Sequence, residues 1–306
     1  MASIHVPVLL KEVVEGLKLQ EAKSKKQESA LIYLDGTLGG AGHAMAVAEA
    51  LEGKVIIVGL DRNKQAIEEG KGKLEGKAEK VILEVESFRN LDKVLEKHNI
   101  EKVDRILLDL GLSSDELDNS GRGFTFQKDE PLLMTMGDPD TYPFTAKTIV
   151  NDWDEEVIAD VIFGYGEERF ARRIARAIIV YRDKKTIETT HELAEIIKGS
   201  VPGFYRRGKI HPATRTFQAL RIAVNEELNA LKEGLTKGYE KLNAGGVMAI
   251  ISFHSLEDRI VKEFFKSKAV TDDAVVSRKP LRASDEEILH NPRARSARLR
   301  VLERRN

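Results

Sequence analysis

Short apolar runs alternate with amphipathic stretches through the first third of the chain. Leu31–Asp35, Val55–Leu60, Val81–Val85 and Arg105–Leu110 are rich in β-branched residues and leucine. Each is too short for a stable helix and shows little polar alternation, the pattern of parallel strands covered on both faces. Between them Ala41–Leu51, Lys64–Leu74 and Leu91–His98 carry helical periodicity. Strand then helix, repeated, predicts a doubly wound, mostly parallel α/β sheet. After Leu110 the rhythm stops, and residues 111–145, rich in Gly, Ser, Asp and Pro, read as loop. Helices then follow with no strand between them: Asp154–Phe163, Glu167–Tyr181 and His191–Gly199, the last behind Thr189 and Thr190 as capping residues. One long pattern from Ala213 to Leu242 sets Phe217, Leu220, Val224, Leu228, Leu231 and Leu235 on a single face. Strand-like Val247–Ser252 resumes the alternation and leads into a helix over Leu256–Lys266. The expected architecture is a Rossmann-like α/β domain from residues 1–116 and 216–306, interrupted by an all-helical domain over 117–215.

Composition narrows the class. At 306 residues, 42% hydrophobic and 32% charged, the chain has the balance of a globular protein. It shows neither a basic-then-apolar leader nor an apolar run near the ~20 residues of a membrane span, so a cytoplasmic protein with no membrane partner is expected. There is no cysteine. A disulfide framework, a thiolate metal site and a cysteine nucleophile are therefore excluded. The last exclusion disfavours methylation of pyrimidine carbon 5, which ordinarily uses thiolate attack on the ring. The formal net charge of −1 conceals segregation. Residues 115–160 hold 12 acids and 3 bases, 204–221 hold five bases and no acid, and 278–306 hold nine bases and four acids. The two basic stretches flank the strand that resumes the α/β pattern, which suits binding to an RNA backbone, although a solvated face is the commoner use of such stretches.

The first strand runs into Asp35-Gly-Thr-Leu-Gly-Gly-Ala-Gly-His43, which opens a helix. In open α/β sheets ligands lie at the carboxyl ends of the strands, where glycines let them approach the backbone. A tight turn alone would use the same residues. The second strand ends in Asp61, where a carboxylate can accept from ribose hydroxyls or cap the next helix. Phe88, after the third strand, offers a ring for adenine or for the core. Asp109 ends the fourth strand in the same crevice, where an ordinary strand-end aspartate also fits. Met45 stands at the third glycine position of the dinucleotide fingerprint, and no Walker-type phosphate loop occurs, against NAD, FAD and that kind of ATP site. Acidic residues closing two strands suit a cationic cofactor with a free ribose, which describes S-adenosylmethionine.

Longer strings carry a resemblance. Leu107–Ser114, Arg122–Phe126, Ile210–Ile222 and Ile251–Val261, with His5–Val8, Tyr165–Arg169 and Asn291–Ser296, resemble the RsmH (MraW) family of bacterial 16S ribosomal RNA cytosine-N4 methyltransferases. The resemblance implies a class I methyltransferase domain with a helical insertion that recognises substrate RNA. It implies S-adenosylmethionine as donor and one cytidine in the decoding region of the small subunit's 16S RNA as acceptor. It also implies that Gly40, Ala41, Gly42 and His43, with Asp61, Phe88 and Asp109, hold the cofactor. The family's Ser-Ser-x-Gln places a further cofactor contact at Glu116, which is altered from Gln here. Pro131–Asp138 departs as well, with Leu133 and Thr135 where the family usually has an acid and a base, so the substrate role of that loop stays open.

Cytosine N4 is a poor nucleophile because its lone pair is delocalised into the ring. A positioned acceptor that holds the amine helps more than a strong base. Asp109 is the leading candidate, with Ser113 or Ser114, while the resemblance assigns Asp109 to the cofactor. His254, after the strand that follows the helical segment, is a third catalytic candidate or else a helix cap, and Ser255 with Asp258 also reads as a cap and its first-turn partner. For RNA the candidates are Arg122, Phe124 and Phe126 in the loop, and His211, Thr214, Arg215 and Arg221 at the start of the long helix. The phenylalanines equally suit a plug between domains, and the arginines a solvated face. No metal is expected, and homodimer formation is left open. A small-molecule or protein methyltransferase, or a non-catalytic RNA-binding factor on the same scaffold, are the competing readings.

Overall fold

The computed structural model describes residues 7–24, 30–112, 117, 119–272 and 274–305. The chain forms two compact units, Met1–Ser113 with Leu228–Asn306, and Ser114–Glu227.

The first unit is built on a seven-stranded sheet. Its strands are β1 (Leu31–Asp35), β2 (Val55–Asp61), β3 (Lys80–Val85), β4 (Val103–Asp109), β5 (Leu242–Ser252), β6 (Val275–Val276) and β7 (Arg298–Glu303), in the order β3-β2-β1-β4-β5-β7-β6. β1 to β5 are parallel, and β7 runs antiparallel to both β5 and β6. Alternate residues enter different cores. Leu31 and Tyr33 of β1, Leu107 of β4 and Val247, Ala249 and Ile251 of β5 join one cluster. Leu34, Ile106, Leu108, Met248 and Ile250 join the other. Both faces are dry, which is why these strands read as unbroken apolar runs. The helices Gly42–Ala50 and Lys64–Leu74 supply the first cluster. Leu91–Lys97, Glu227–Lys241 and Ser255–Thr271 supply the second. The helical layer changes face where the chain leaves β3 and returns to β4 beside β1, which creates the crevice where such sheets take their ligands.

The sequence did not announce β6 or β7. Arg298–Glu303 reads as part of a basic tail, yet Arg300 is buried. Its Nε and Nη2 donate to Asp258 at 2.7 and 3.2 Å, and Arg298 Nη1 donates to the same carboxylate at 3.1 Å. These arginines are internal ion pairs. Asp258 is thereby committed to β7, and the cap expected at Ser255 lies one residue earlier, at His254.

In the second unit the named helices include Ala146–Asp152, Glu155–Gly166, Ala171–Arg182, Thr190–Ser200 and Thr214–Asn225. Ala171, Ile174, Ala175 and Ile178 show the spacing of a helix buried along one stripe. The continuous helix expected over Ala213–Leu242 is broken: Glu226 adopts φ 50°, in the left-handed region, and a new helix starts at Glu227. The side chain of buried Asn225 fixes the break. Its Oδ1 accepts from Met136 N–H at 2.9 Å, and its Nδ2 donates to the Met134 carbonyl at 2.7 Å. Among the described residues, no helix is long and apolar enough to cross a membrane.

Candidate active site

Sheet register carries three aspartates to one edge. Asp35 pairs with Gly59 and Leu107, Asp61 with Val85, and Asp109 with Ile251, so β1, β2 and β4 each end in a carboxylate at the crevice. The loop after β1 threads between them. Gly36 N–H donates to the Leu107 carbonyl and Leu38 N–H to that of Leu60, both at 2.9 Å, tying the loop to each neighbouring strand.

Asp61 anchors the glycine loop. Its Oδ2 accepts from Gly39 N–H and its Oδ1 from Asn63 N–H, both at 2.8 Å. The helix cap itself is Asn63, whose side chain accepts from Gln65 N–H. The Arg62 N–H is a third backbone donor to the Asp61 carboxylate, so of about four acceptor positions Asp61 retains one for a hydroxyl donor. Gly39 turns at φ +47°, and Ala41 follows at φ 60°, strained for a residue with a Cβ. Ala41 heads the helix Gly42–Ala50 without any side-chain cap. A Cβ on Gly42 would lie 2.2 Å from Pro7 Cγ, so only glycine fits under the N-terminal segment. The helix therefore begins with uncapped amides, which suit a carboxylate.

Asp35 and Asp109 are the electrostatic centre. Asp35 is 1% exposed, accepting from the Tyr33 hydroxyl at 2.9 Å and from Thr37 N–H at 3.2 Å. Burial raises its pKa from an ordinary 3.8 to about 6, against the opposing pull of those hydrogen bonds. Asp109 is pushed well above the usual carboxylate range by burial first, then by Asp35 and Glu257. Its Oδ1 is buried with no hydrogen-bond partner among the described residues, and its Oδ2 lies 3.8 Å from His43 Nδ1. His43 is itself buried, its Nε2 2.9 Å from the Val8 carbonyl. A carbonyl only accepts, so Nε2 carries the hydrogen and Nδ1 is turned toward Asp109. Clustered buried carboxylates with an orphaned oxygen are costly unless a cation joins them. The donor set thus fits a ligand with a positive centre, a carboxylate and a hydroxyl.

Other expected residues behave differently. Phe88 is half-buried, its Cδ2 lying 2.6 Å from where a Cβ on Gly234 would stand, so the helix Glu227–Lys241 packs onto its ring. His254 is the N-cap of Ser255–Thr271 in a reciprocal capping box with Glu257, whose Oε2 accepts from Phe253 and His254 N–H at 2.9 and 3.3 Å. Its Nε2 lies 3.2 Å from Glu257 Oε1 without the alignment of a hydrogen bond. Ser113 and Glu116 lie outside the described residues. The sequence offered no cue to Tyr33, which reads as core, or to Glu257, whose capping partner is a histidine where Ser or Thr is usual.

In the second unit, Arg122 Nη1 donates to the carbonyls of Thr135, Met136 and Gly137 at 3.1, 3.1 and 2.9 Å, closing its own loop. Phe124 is buried. Phe126 stacks on His211, centroids 4.6 Å apart, and meets Phe217 edge-on at 5.1 Å. Thr214 opens its helix exposed, and Arg215 Nη1 donates to the Glu167 carbonyl at 3.0 Å. Arg221 forms a bidentate pair with Glu227, both contacts 2.9 Å.

The sequence profile of the MraW methylase family matches residues 2–305. The chain belongs to the MraW methylase family. It is 45% identical to the ribosomal RNA small subunit methyltransferase H of Syntrophotalea carbinolica over 317 residues, 98% of each chain. It is 42% identical to the protein of that name from Brevibacillus brevis over 318 residues, again 98% of each. The mostly parallel sheet with its antiparallel β7 is the mixed α/β architecture that the strand–helix alternation predicts.

Proposed function

We propose that this chain transfers a methyl group from S-adenosylmethionine to N4 of one cytidine in the decoding region of 16S ribosomal RNA within the small subunit. The observation that carries the reading is the pair of buried carboxylates, Asp35 and Asp109, with Asp109 Oδ1 unpartnered among the described residues. Family membership and the names of the relatives support ribosomal RNA as substrate; the motif resemblance supports cytosine N4.

S-adenosylmethionine supplies an electrophilic methyl on a sulfonium. The start of the helix Gly42–Ala50, which has no side-chain cap, would receive its carboxylate, Asp61 would accept from a ribose hydroxyl, and Asp35 and Asp109 would face its positive charge. Asp109 Oδ1 accepts one N4–H of the cytosine and turns the nitrogen lone pair toward the methyl. When the methyl group moves from sulfur to N4, the amine would lose a proton, which Asp109 would take and pass to water. Burial makes Asp109 a stronger base than an ordinary aspartate. His43, held by Val8, stands beside the other carboxylate oxygen at 3.8 Å, beyond hydrogen-bond distance.

The test is incubation with isotopically labelled S-adenosylmethionine and small subunits lacking the modification, followed by digestion to nucleosides. Label in N4-methylcytidine is expected. Cofactor binding without transfer would sink the catalytic reading, and label in protein would redirect the substrate. In the same assay Asp61→Ala should weaken cofactor binding about 10- to 100-fold, the worth of a charge-assisted hydrogen bond and of the Gly39 anchor. Calorimetric titration measures this, and an unchanged Kd would remove Asp61 from the site.

A further inference from the structure

We propose that an exposed cluster in the Ser114–Glu227 unit, formed by Phe170, Phe204 and Tyr205 with Arg169, Arg172 and Arg173, is a docking surface for unpaired RNA. This rests on the RNA-substrate reading above and names the surface that would hold the strand. Phe204 is 62% exposed on the short helix Gly203–Arg206, where it adjoins the half-buried rings of Phe170 and Tyr205. It is not loosely held. Glu168 is fully buried, and its carboxylate accepts from the Tyr205 hydroxyl and, at 2.8 Å, from Phe170 N–H. A buried carboxylate satisfied in this way fixes two of the rings. Phe170 meets Tyr205 edge-on at 5.0 Å and Phe204 at 6.4 Å, and the Arg169 guanidinium lies over all three rings, 4.8 to 5.5 Å from their centroids.

The charge around these rings runs against stability. Arg172 and Arg173 are exposed in the first turn of Ala171–Arg182, which contains no acid. Cations at the positive end of a helix are unfavourable, so an anion there relieves the arrangement. Arg207 adds to the same side, its Nη1 3.6 Å from where a Cβ on Gly203 would stand. An exposed ring, Phe204, that can stack on a base, surrounded by guanidiniums that can meet phosphates, supplies the two components of single-strand recognition. A duplex keeps its base faces stacked and offers only the backbone.

The experiment titrates the full chain into a fluorescein-labelled single-stranded RNA and into a duplex of the same length, over a range of salt. Phe204→Ala should weaken single-strand binding about tenfold, as expected for one lost base stack. The salt slope should not change. Arg172→Ala with Arg173→Ala should lower the slope of log affinity against log salt by about 1.4, at ~0.7 per phosphate contact. A role confined to folding would not alter the slope. Unchanged affinity in the first variant, an unchanged slope in the second, or equal weakening on the duplex would overturn the proposal. So would weakened binding to whole small subunits with naked RNA unaffected, which would assign the surface to a protein. Methyl transfer measured in parallel separates the two readings. RNA binding through this surface without transfer sinks only the catalytic one; transfer with unchanged KM for subunits in both variants sinks only the surface.

Discussion

Asp109→Asn should lower kcat for methyl transfer by about 100- to 1000-fold, the loss typical when one positioned charge or proton acceptor is removed. It should change cofactor affinity by less than tenfold. Asparagine keeps the shape and an acceptor oxygen for N4–H, but it cannot take the proton that N4 must lose. Asp109 Oδ1 is available for this because no described group already uses it. The wild-type kcat/KM for the cofactor should therefore rise with pH as the carboxylate of the empty protein ionises, along a limb displaced above the ordinary aspartate range by burial and by Asp35 and Glu257. That limb should disappear in the variant. If kcat persists in the variant, Asp109 serves the cofactor only. A variant whose cofactor affinity falls in step with kcat would mean the same.

The ends of the parallel strands were legible because a strand buried on both faces shows as an apolar run, and the first polar residue after it marks the crevice. Asp35, Asp61 and Asp109 were all found this way. The same logic fails where a buried surface is made of charge. Arg298 and Arg300 look like a basic tail until Asp258, 40 residues earlier, is seen to neutralise them within the sheet. The helix break at Glu226 was hidden for a related reason. Its periodicity is continuous across the break, and neither Gly nor Pro marks it; Asn225 imposes it through contacts 89 and 91 residues away in the chain. Phe126 and Arg221 show the limit for surface chemistry. An aromatic or an arginine near a motif suggests a free ligand-binding group, whereas a stack on His211 and a pair with Glu227 are settled only by the folded partner. Conversely, the cluster around Arg169 had no periodic signal, because its rings come from a turn and a four-residue helix.

Asp35→Asn should stabilise the cofactor-free protein at neutral pH by up to about 3 kcal/mol, the free-energy equivalent of raising an aspartate pKa from 3.8 to about 6. The amide can keep both local hydrogen bonds, accepting from Thr37 N–H and donating to the Tyr33 hydroxyl, while removing a buried charge. The direction with pH follows from the raised value. The folded state holds a proton on Asp35 more tightly than the unfolded chain does, so this group's contribution is fully present below about pH 4 and is lost as pH rises through about 6. Thermal melts should therefore show wild type and variant nearly equal near pH 4, with the variant's advantage growing to a plateau above pH 6. A constant difference across that range would show that the carboxylate's ionisation is not responsible. The cofactor should invert the comparison. A bound cation stabilises the ionised carboxylates, so binding expels protons from Asp35 and Asp109, and the same event that fills the crevice prepares Asp109 to accept the N4 proton. Calorimetry near pH 6 in two buffers of different ionisation enthalpy should detect proton release by the wild type, less of it by Asp35→Asn, and weaker cofactor binding by the variant. Asp35 would then be a residue that costs stability in the empty protein because its charge is needed in the loaded one.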